Sequence, residues 1–167
     1  KRGDIGNTAK KYADSIFKYF GFDAITLSPY MGQDSLIPFI EDERKGAFIL
    51  CLTSNPGAND FQKLESNGIP LYLSVLRCSM ELNNNNNVGI VVGATKTKNM
   101  KDILNHSKGL PWLVPGIGAQ GGDLKKSVLM SNSNNTGLIN ISRGILYSGS
   151  GSVDDIKTAA LEYTNRI

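Results

Sequence analysis

A nearly unbroken apolar run, GAFILCLT, occupies residues 46–53 and is followed at once by the turn-forming residues SNPG at 54–57. A strand that faces solvent on one side alternates apolar and polar residues, whereas a parallel strand covered on both faces is apolar almost throughout. The run is also shorter than an ordinary helix. We therefore interpret residues 46–53 as a strand buried within a parallel sheet.

Similar apolar runs recur on both sides of this strand, and helical patterns separate them. The predicted strands are Asp23–Ser28, Gly46–Thr53, Val88–Gly93, Trp112–Val114 and Gly137–Ile141. The predicted helices are Thr8–Phe20, a short one near Asp34–Ile40, Ala58–Leu64, Leu71–Leu82, Thr97–Lys108, Leu124–Met130 and Val153–Asn165. This alternation of strands and helices predicts an α/β fold with a parallel sheet.

Two α/β architectures contain such a series of units, the doubly wound sheet and the (β/α)8 TIM barrel. The segment Gly3–Gly6 is typical of a loop that leaves a further strand, whose body would lie before Lys1. The chain has 167 residues. A complete barrel typically has about 250 residues and at least about 200. If the fold is a barrel, we expect this chain to be part of one.

Charge and hydropathy argue against several classes of partner. The formal net charge is +3, and the basic residues are spread along the chain instead of forming a block, which argues against nucleic acid. The longest apolar runs are far shorter than the roughly 20 residues of a membrane-spanning helix, so we predict no membrane segment. Cys51 and Cys78 lack CxxC spacing, and we expect two reduced, structural thiols.

Some polar residues are expected to have no part in the chemistry. The asparagine-rich stretch Asn83–Asn87 is predicted to be a solvated insertion without function, and Ser131–Thr136 to be a surface loop of the same kind. His106 is the single histidine and is predicted to face solvent from the middle of a helix. A catalytic triad based on histidine therefore cannot be built from this chain.

Residues 115–123 read PGIGAQGGD, and Gly116, Gly118 and Gly121 fit the G-x-G-x-x-G pattern of dinucleotide-binding loops. That pattern requires an acidic residue about 20 positions further on, to bind a ribose hydroxyl. Residues 138–143 contain no Asp or Glu. The loop still offers backbone N–H groups at the start of a helix, which suits a single phosphate. We therefore favour one phosphate over a dinucleotide.

Arg143 follows the next predicted strand, one βα unit after Gln120. If the two strands are adjacent and parallel, their loops lie side by side at the carboxyl edge of the sheet, where barrel enzymes often bind phosphate. A guanidinium group suits a bidentate phosphate contact, and Gln120 adds an uncharged donor. The alternative is that Arg143 forms a surface ion pair.

Two further polar clusters follow strand ends. Lys1 and Asp4 adjoin a glycine-rich turn, and a lysine and a carboxylate in one cleft influence each other's protonation, as acid catalysis requires. A solvated charged loop is the alternative. Thr53 and Ser54 close the longest strand, and their hydroxyls either bind a substrate or only cap the helix that follows.

Six motifs follow one another along the chain. They are KRGDIGNT (1–8), SPYMG (28–32), TSNPG (53–57), VVGAT (91–95), PGIGAQ (115–120) and ISR (141–143). In order and spacing the chain resembles the orotidine 5′-phosphate decarboxylase family, in the branch with the bacterial-like motif set. The resemblance implies a (β/α)8 TIM barrel, of which residues 1–167 would form the C-terminal part of a single domain, from about the end of strand 3 through helix 8.

The resemblance also implies an activity, which is the decarboxylation of orotidine 5′-monophosphate to UMP in pyrimidine nucleotide synthesis, in the cytoplasm and without metal or cofactor. In the family motif Asp-x-Lys-x-x-Asp, Lys1 would be the lysine that protonates C6 of the pyrimidine as CO₂ leaves. Asp4 would be the second aspartate. The implied substrate-binding residues are Ile5, Thr8, Thr53, Ser54, Pro115, Gln120, Ser142 and Arg143.

The resemblance divides these residues by role. Ser54, with Thr53 as the alternative, would contact the pyrimidine near its carboxylate. Gln120 and Arg143, with the Ser142–Arg143 backbone, would bind the 5′-phosphate. In a homodimer, three residues would reach the active site of the partner subunit. These three are Asp4, Ile5 and Thr8.

The sequence departs from the family pattern at its start, because the first aspartate of the motif and an upstream lysine would precede Lys1. We expect the chain to be a fragment, or a renumbered second segment, of a longer protein. Two alternatives to the decarboxylase stay open. One is a barrel that binds nucleotide or phosphate without catalysis, and the other is a related sugar-phosphate decarboxylase or epimerase that depends on Mg²⁺.

Overall fold

The structure, a computed structural model that describes residues 3–107 and 109–167, is centred on a five-stranded parallel sheet. The strands are β1 (Ala24–Leu27), β2 (Gly46–Leu52), β3 (Glu65–Ser66), β4 (Ile69–Pro70), β5 (Val88–Val92), β6 (Trp112–Pro115) and β7 (Gly137–Asn140). The sheet has the order β1-β2-β5-β6-β7, and β3 and β4 form a separate antiparallel hairpin. All five predicted strands are confirmed, each to within one residue at either end.

Helices follow the strands, as the sequence predicts. They are α1 (Gly6–Asp14), α2 (Ala58–Phe61), α3 (Leu71–Leu82), α4 (Thr97–His106), α5 (Leu124–Asn134), α6 (Arg143–Leu146) and α7 (Val153–Thr164). A π-helical turn, Ser15–Tyr19, continues α1. His106 is the last residue of α4 instead of a mid-helix residue, and it is exposed as predicted. The predicted end of this helix, Lys108, lies outside the described residues.

The short helix predicted near Asp34–Ile40 is instead a pair of 3-10 turns, Gln33–Ser35 and Ile37–Phe39. Pro38 lies in the second turn and has no backbone N–H to donate, so a regular α-helix cannot run through the segment. The turns still bury Leu36 and Phe39 against the sheet.

The strand order distinguishes between the two α/β architectures. Each strand of the main sheet pairs in parallel with the one that follows it in the sheet order, and the order never reverses along the chain. A doubly wound sheet reverses its strand order at the point where ligands bind, whereas a barrel adds its strands in sequence. The described strands therefore follow the order of a barrel.

Two apolar clusters fill the space between the sheet and its helices. One is centred on β5 and β6, where Ile90, Val92 and Trp112 are fully buried. The other joins β1 and the start of β2 to α1, and Phe39 and Ile49 lie within it. Every residue of β5 is buried, which explains why its sequence is apolar throughout. These clusters hold the strands in place, and the polar residues that follow the strands lie at their carboxyl ends.

The expectation that Asn83–Asn87 is a solvated insertion is confirmed for Asn84–Asn86, which are exposed, but not for Asn87, which is partly buried. Asn87 Nδ2 donates to the carbonyl oxygens of Ile40, Asp42 and Lys45, at 3.0, 3.3 and 3.0 Å. The segment therefore anchors the loop that precedes β2 to the start of β5.

The expectation that Ser131–Thr136 is a surface loop is wrong for its first half, because α5 continues to Asn134. The Ser131 hydroxyl donates to the carbonyl oxygen of Ser127 at 2.8 Å, so this serine is satisfied within the helix while fully buried. Its small side chain packs directly against Gly137 of β7. Small residues on the inner face therefore let the helix lie close to the sheet.

Candidate active site

An open cleft of about 970 Å³ lies at the carboxyl ends of β2, β5, β6 and β7. Polar residues that follow these strands line most of it. The lining residues are Thr53, Ser54, Asn55, Pro56, Asn59, Val91, Thr95, Lys96, Pro115, Gln120 and Asn140. Four of them, Thr53, Ser54, Pro115 and Gln120, are residues that the sequence analysis assigned to substrate binding.

Ser54 is held by close packing against the ends of the two neighbouring strands. A methyl group at Gly93 would lie only 2.5 Å from the Ser54 amide nitrogen, so no larger residue fits there without displacing Ser54. The Thr95 hydroxyl donates to the Ser54 carbonyl oxygen at 2.8 Å. The backbone of Ser54 is thus fixed from the side of β5.

Ser54 and Gln120 face the same point above Gly116. A methyl group on Gly116 would lie 3.3 Å from Ser54 Oγ and 3.5 Å from Gln120 Oε1. Gly116 also has a φ of 101°, a conformation that favours glycine. A side chain at this position would crowd the hydroxyl and the amide, so the glycine keeps the space between them open.

Thr53 is the poorer candidate of the two hydroxyl residues. Its Oγ1 donates to Asn55 Oδ1 at 2.6 Å and accepts from Gln62 Nε2 at 2.9 Å. The Thr53 hydroxyl is therefore committed to the loop that follows β2, which favours Ser54 as the residue that contacts a ligand.

The glycine-rich loop differs from the sequence interpretation in one respect. Asp123 caps α5 and accepts from the Lys126 amide at 3.0 Å, and this backbone bond lowers the pKa of Asp123. The amides of Gly121 and Gly122 donate within the loop, to the carbonyl oxygens of Gly118 and Gly116. The expected anion site at this helix start is therefore occupied by the protein's own carboxylate, and the loop presents the carboxamide of Gln120 to the cleft.

The loop after β6 and the helix after β7 lie side by side, as predicted. Pro115 and Asn140 are partners at the ends of the paired strands β6 and β7. A methyl group on Gly118 would lie 3.7 Å from the Cα of Gly144. Ser142 and Arg143 begin α6 and are exposed at this junction, next to the cleft but not among the residues that line it.

Three of the predicted residues near the start of the chain, Asp4, Ile5 and Thr8, are not among the residues that line this cleft. Gly3 lies against the end of β1, since a methyl group on it would be 3.2 Å from Ser28 Cβ. Asp4 Oδ1 accepts from the Ile5 amide at 2.8 Å, and Ile5 and Thr8 are exposed on the first turns of α1. Lys1 lies outside the described residues.

One charged residue of the cleft was not predicted from the sequence. Lys96 is the single charged residue among the lining residues of the described chain, and it immediately precedes α4. Its position just after the VVGAT motif indicates a place in the cleft, because polar residues that follow parallel strands gather at one edge of the sheet. A cation here favours an anionic ligand in the cleft.

Two kinds of feature are absent from residues 3–107 and 109–167. No three His, Cys, Asp or Glu side chains are grouped as metal ligands would be. None of the helices in this part of the chain has the length and apolar character that crossing a bilayer requires.

These features define a class of protein, namely a parallel α/β segment in barrel order with a polar, cationic cleft at the carboxyl ends of its strands. Within that class, the chain belongs to the orotidine 5′-phosphate decarboxylase / HUMPS family, whose model matches residues 1–158. The resemblance inferred from the motifs is thereby confirmed.

Relatives of known name agree with this assignment. The chain is 50% identical over 159 residues to an orotidine 5′-phosphate decarboxylase of Dehalococcoides mccartyi, covering 91% of this chain and 58% of the relative. An orotidine 5′-phosphate decarboxylase of Halorubrum lacusprofundi is 46% identical over 156 residues, covering 89% of this chain and 55% of the relative. The chain thus spans less than two thirds of the length of these relatives.

Solved structures confirm the fold. The Leishmania donovani OMP decarboxylase superposes with a TM-score of 0.86 at 42% identity, covering 97% of this chain and 62% of that one. The Leishmania donovani UMP synthase gives a TM-score of 0.88 at 43% identity, covering 99% of this chain and 37% of that one. The α/β fold, as part of a (β/α)8 barrel, is therefore confirmed.

Proposed function

We propose that the protein decarboxylates orotidine 5′-monophosphate to UMP, as a step of pyrimidine nucleotide synthesis in the cytoplasm. Family membership and the names of the relatives support the reaction. The observation that carries the proposal is the convergence of Ser54 Oγ and Gln120 Oε1 above Gly116, at strand ends that the family motifs predict.

In this proposal the nucleotide lies along the carboxyl edge of the sheet. Ser54 contacts the pyrimidine, and Pro115 forms part of the adjoining wall. Gln120 and Arg143 bind the 5′-phosphate, together with the backbone at Ser142. Because the phosphate is remote from the reacting carbon, its binding energy serves to orient the base and to close loops around it.

The chemistry requires a cation beside C6 of the pyrimidine. Loss of CO₂ leaves the electron pair of the broken bond on C6, and a fixed ammonium group stabilises charge that exists only late in the reaction. We assign this group to Lys1, which then donates its proton to C6. A neighbouring carboxylate, assigned to Asp4, favours the protonated form of such a lysine. These steps balance without a metal or cofactor.

We further propose that the functional unit is a homodimer in which Asp4, Ile5 and Thr8 reach the partner's site. The support is the exposure of an apolar side chain next to Asp4, since Ile5 is 60% exposed where α1 begins. A subunit contact would remove this apolar surface from water.

The proposal is tested by the loss of orotidine 5′-monophosphate absorbance in the presence of EDTA, on the intact protein and on Lys1→Ala. Lys10→Ala, an exposed lysine of α1, is the matched control. We expect turnover that survives EDTA, is unchanged in Lys10→Ala and is lost in Lys1→Ala. Turnover of a sugar phosphate that requires Mg²⁺ would instead support the related enzymes, and binding without turnover would support the non-catalytic barrel.

A further inference from the structure

Tyr163, near the end of α7, reaches into the junction between the two loops assigned to phosphate. A methyl group on Gly118 would lie 2.9 Å from Tyr163 Oη, and a methyl group on Gly144 would lie 2.7 Å from the same oxygen. The hydroxyl therefore touches the backbone of both segments at once. A side chain at either position would force the tyrosine hydroxyl to move.

The tyrosine ring is fixed from several sides. It is partly buried against the apolar cluster around β5 and β6. The guanidinium carbon of Arg166 lies 5.5 Å from the ring centroid, within the range of a cation–π contact. Ile141 Cγ2 lies beside the same two glycines, 3.7 Å from a methyl group on Gly118 and 3.4 Å from one on Gly144. The ring is thus a rigid spacer instead of a mobile side chain.

The position of this spacer relates directly to the proposed phosphate donors. Gly118 lies two residues before Gln120, and Gly144 directly follows Arg143. The spacing between the loop and α6 at this point therefore affects the spacing between the backbones of Gln120 and Arg143. The family match ends at residue 158, so Tyr163 lies beyond the part of the chain that the match covers.

We propose that Tyr163 is a positioning residue that sets the spacing of Gln120 and Arg143 for the 5′-phosphate of the ligand. This inference rests on the proposed function, because that function supplies the phosphate. Tyr163 does not itself touch the ligand. Its effect is expected to be confined to ligands that carry a phosphate group.

The experiment measures the affinities of UMP and of uridine by calorimetry, on the intact protein and on Tyr163→Phe and Tyr163→Leu. Tyr163→Phe removes only the hydroxyl, while Tyr163→Leu also removes the ring. Tyr19→Phe is the matched control, because Tyr19 is 83% exposed on the π-helical turn. Melting temperatures of all variants show whether the fold is retained.

We expect UMP affinity to fall about threefold in Tyr163→Phe and about tenfold in Tyr163→Leu, as when a charge-assisted hydrogen bond is partly lost. Uridine affinity should not change, and Tyr19→Phe should behave like the parent protein. If the parent prefers UMP over uridine and the Tyr163 variants keep that preference, the positioning role is refuted while the proposed function stands. If the parent shows no preference for UMP, the proposed function fails and this inference fails with it.

Discussion

Asn87 provides a sharp test of how the loop before β2 is held. Its side-chain amide donates to the carbonyl oxygens of Ile40, Asp42 and Lys45 at 3.0–3.3 Å. The backbone carbonyl oxygen of Asn87 accepts from the Ala47 amide at 2.9 Å, and this bond joins the start of β5 to the start of β2. Replacing Asn87 with alanine removes the three side-chain contacts and leaves the backbone bond intact.

The expected loss of stability follows from these contacts. An amide nitrogen has two hydrogens, so the three contacts correspond to two full hydrogen bonds, each with a net value of about 1 kcal/mol. Carbonyl groups left unpaired add to this cost. Asn87 Oδ1 is buried without a partner among the described residues, so its removal offsets part of the loss. We therefore expect Asn87→Ala to destabilise the protein by about 2 kcal/mol.

The assay is thermal unfolding of the intact protein, where about 2 kcal/mol corresponds to a fall in Tm of roughly 4–8 °C for a domain of this size class. Asn87→Asp should cost more, because a carboxylate would then face three carbonyl oxygens. Asn84→Ala, an exposed residue of the same segment, is the control and should leave Tm unchanged. An Asn87→Ala variant that melts within a degree of the parent would refute the reasoning.

Three further predictions concern the site and its surroundings. In Gly93→Ala the new methyl group would lie 2.5 Å from the Ser54 amide nitrogen. We therefore expect a loss of stability of about 1–3 kcal/mol from overpacking, measured by urea unfolding, and weaker UMP binding, measured by calorimetry. Lys96→Met should lower UMP affinity about threefold and reduce its salt dependence, whereas Lys98→Met, exposed two residues on, should change neither. Hydrogen bonds from the neighbouring loop lower the pKa of Asp155 to about 2. The free energy of unfolding should therefore fall as the pH drops from about 4 towards 2. In urea unfolding measured across this pH range, Asp155→Asn should make the fall less steep.

Each of these predictions has an outcome that contradicts it. Unaltered UMP affinity in Gly93→Ala would mean that Ser54 either tolerates the methyl group or does not contact the ligand. Equal losses in Lys96→Met and Lys98→Met would indicate a general effect of net charge instead of a contact in the cleft. An Asp155→Asn variant whose stability falls between pH 4 and 2 as steeply as that of the parent would show that the carboxyl of Asp155 is not held by its loop.

The main sheet could be predicted from the sequence because its strands are buried on both faces. An apolar run such as Val88–Val92 has no polar residue to mark a solvent face, and this property is typical of parallel strands. The order of the strands could not be derived from such runs alone, since a doubly wound sheet contains the same runs. The strand pairing distinguishes the barrel from the doubly wound sheet, and this pairing depends on contacts between residues that are distant in sequence.

The elements that were missed have different physical causes. The hairpin of β3 and β4 carries Asn67 and Gly68 at its turn, both with positive φ. An Asn-Gly pair is a strong hairpin signal, so this element could have been predicted. The last turn of α5 could not, because Ser131 is a poor helix former by propensity. It is helical because its small side chain fits between the helix and the sheet.

The candidate site was predicted in part. Sequence spacing correctly placed the loops of Gln120 and Arg143 next to each other, because adjacent parallel strands carry them. Lys96 could have been predicted from its position directly after the VVGAT motif, because polar residues that follow parallel strands gather at one edge of the sheet. The capping of α5 by the carboxylate of Asp123 was also missed, because it depends on side-chain geometry that the sequence does not show. The roles of Lys1 and Asp4 stay predictions.

The sequential order of the strands has a consequence for folding. Strand partners lie close along the chain, for example Ala24 with Gly46 and Ile90 with Trp112, each pair 22 residues apart. The entropy cost of closing a loop grows with its length, so pairing with the preceding strand of the chain costs less than pairing with a more distant one. During synthesis each new strand can add to an edge that has already formed. We therefore expect the sheet to assemble from β1 to β7 as the chain leaves the ribosome, one βα unit at a time.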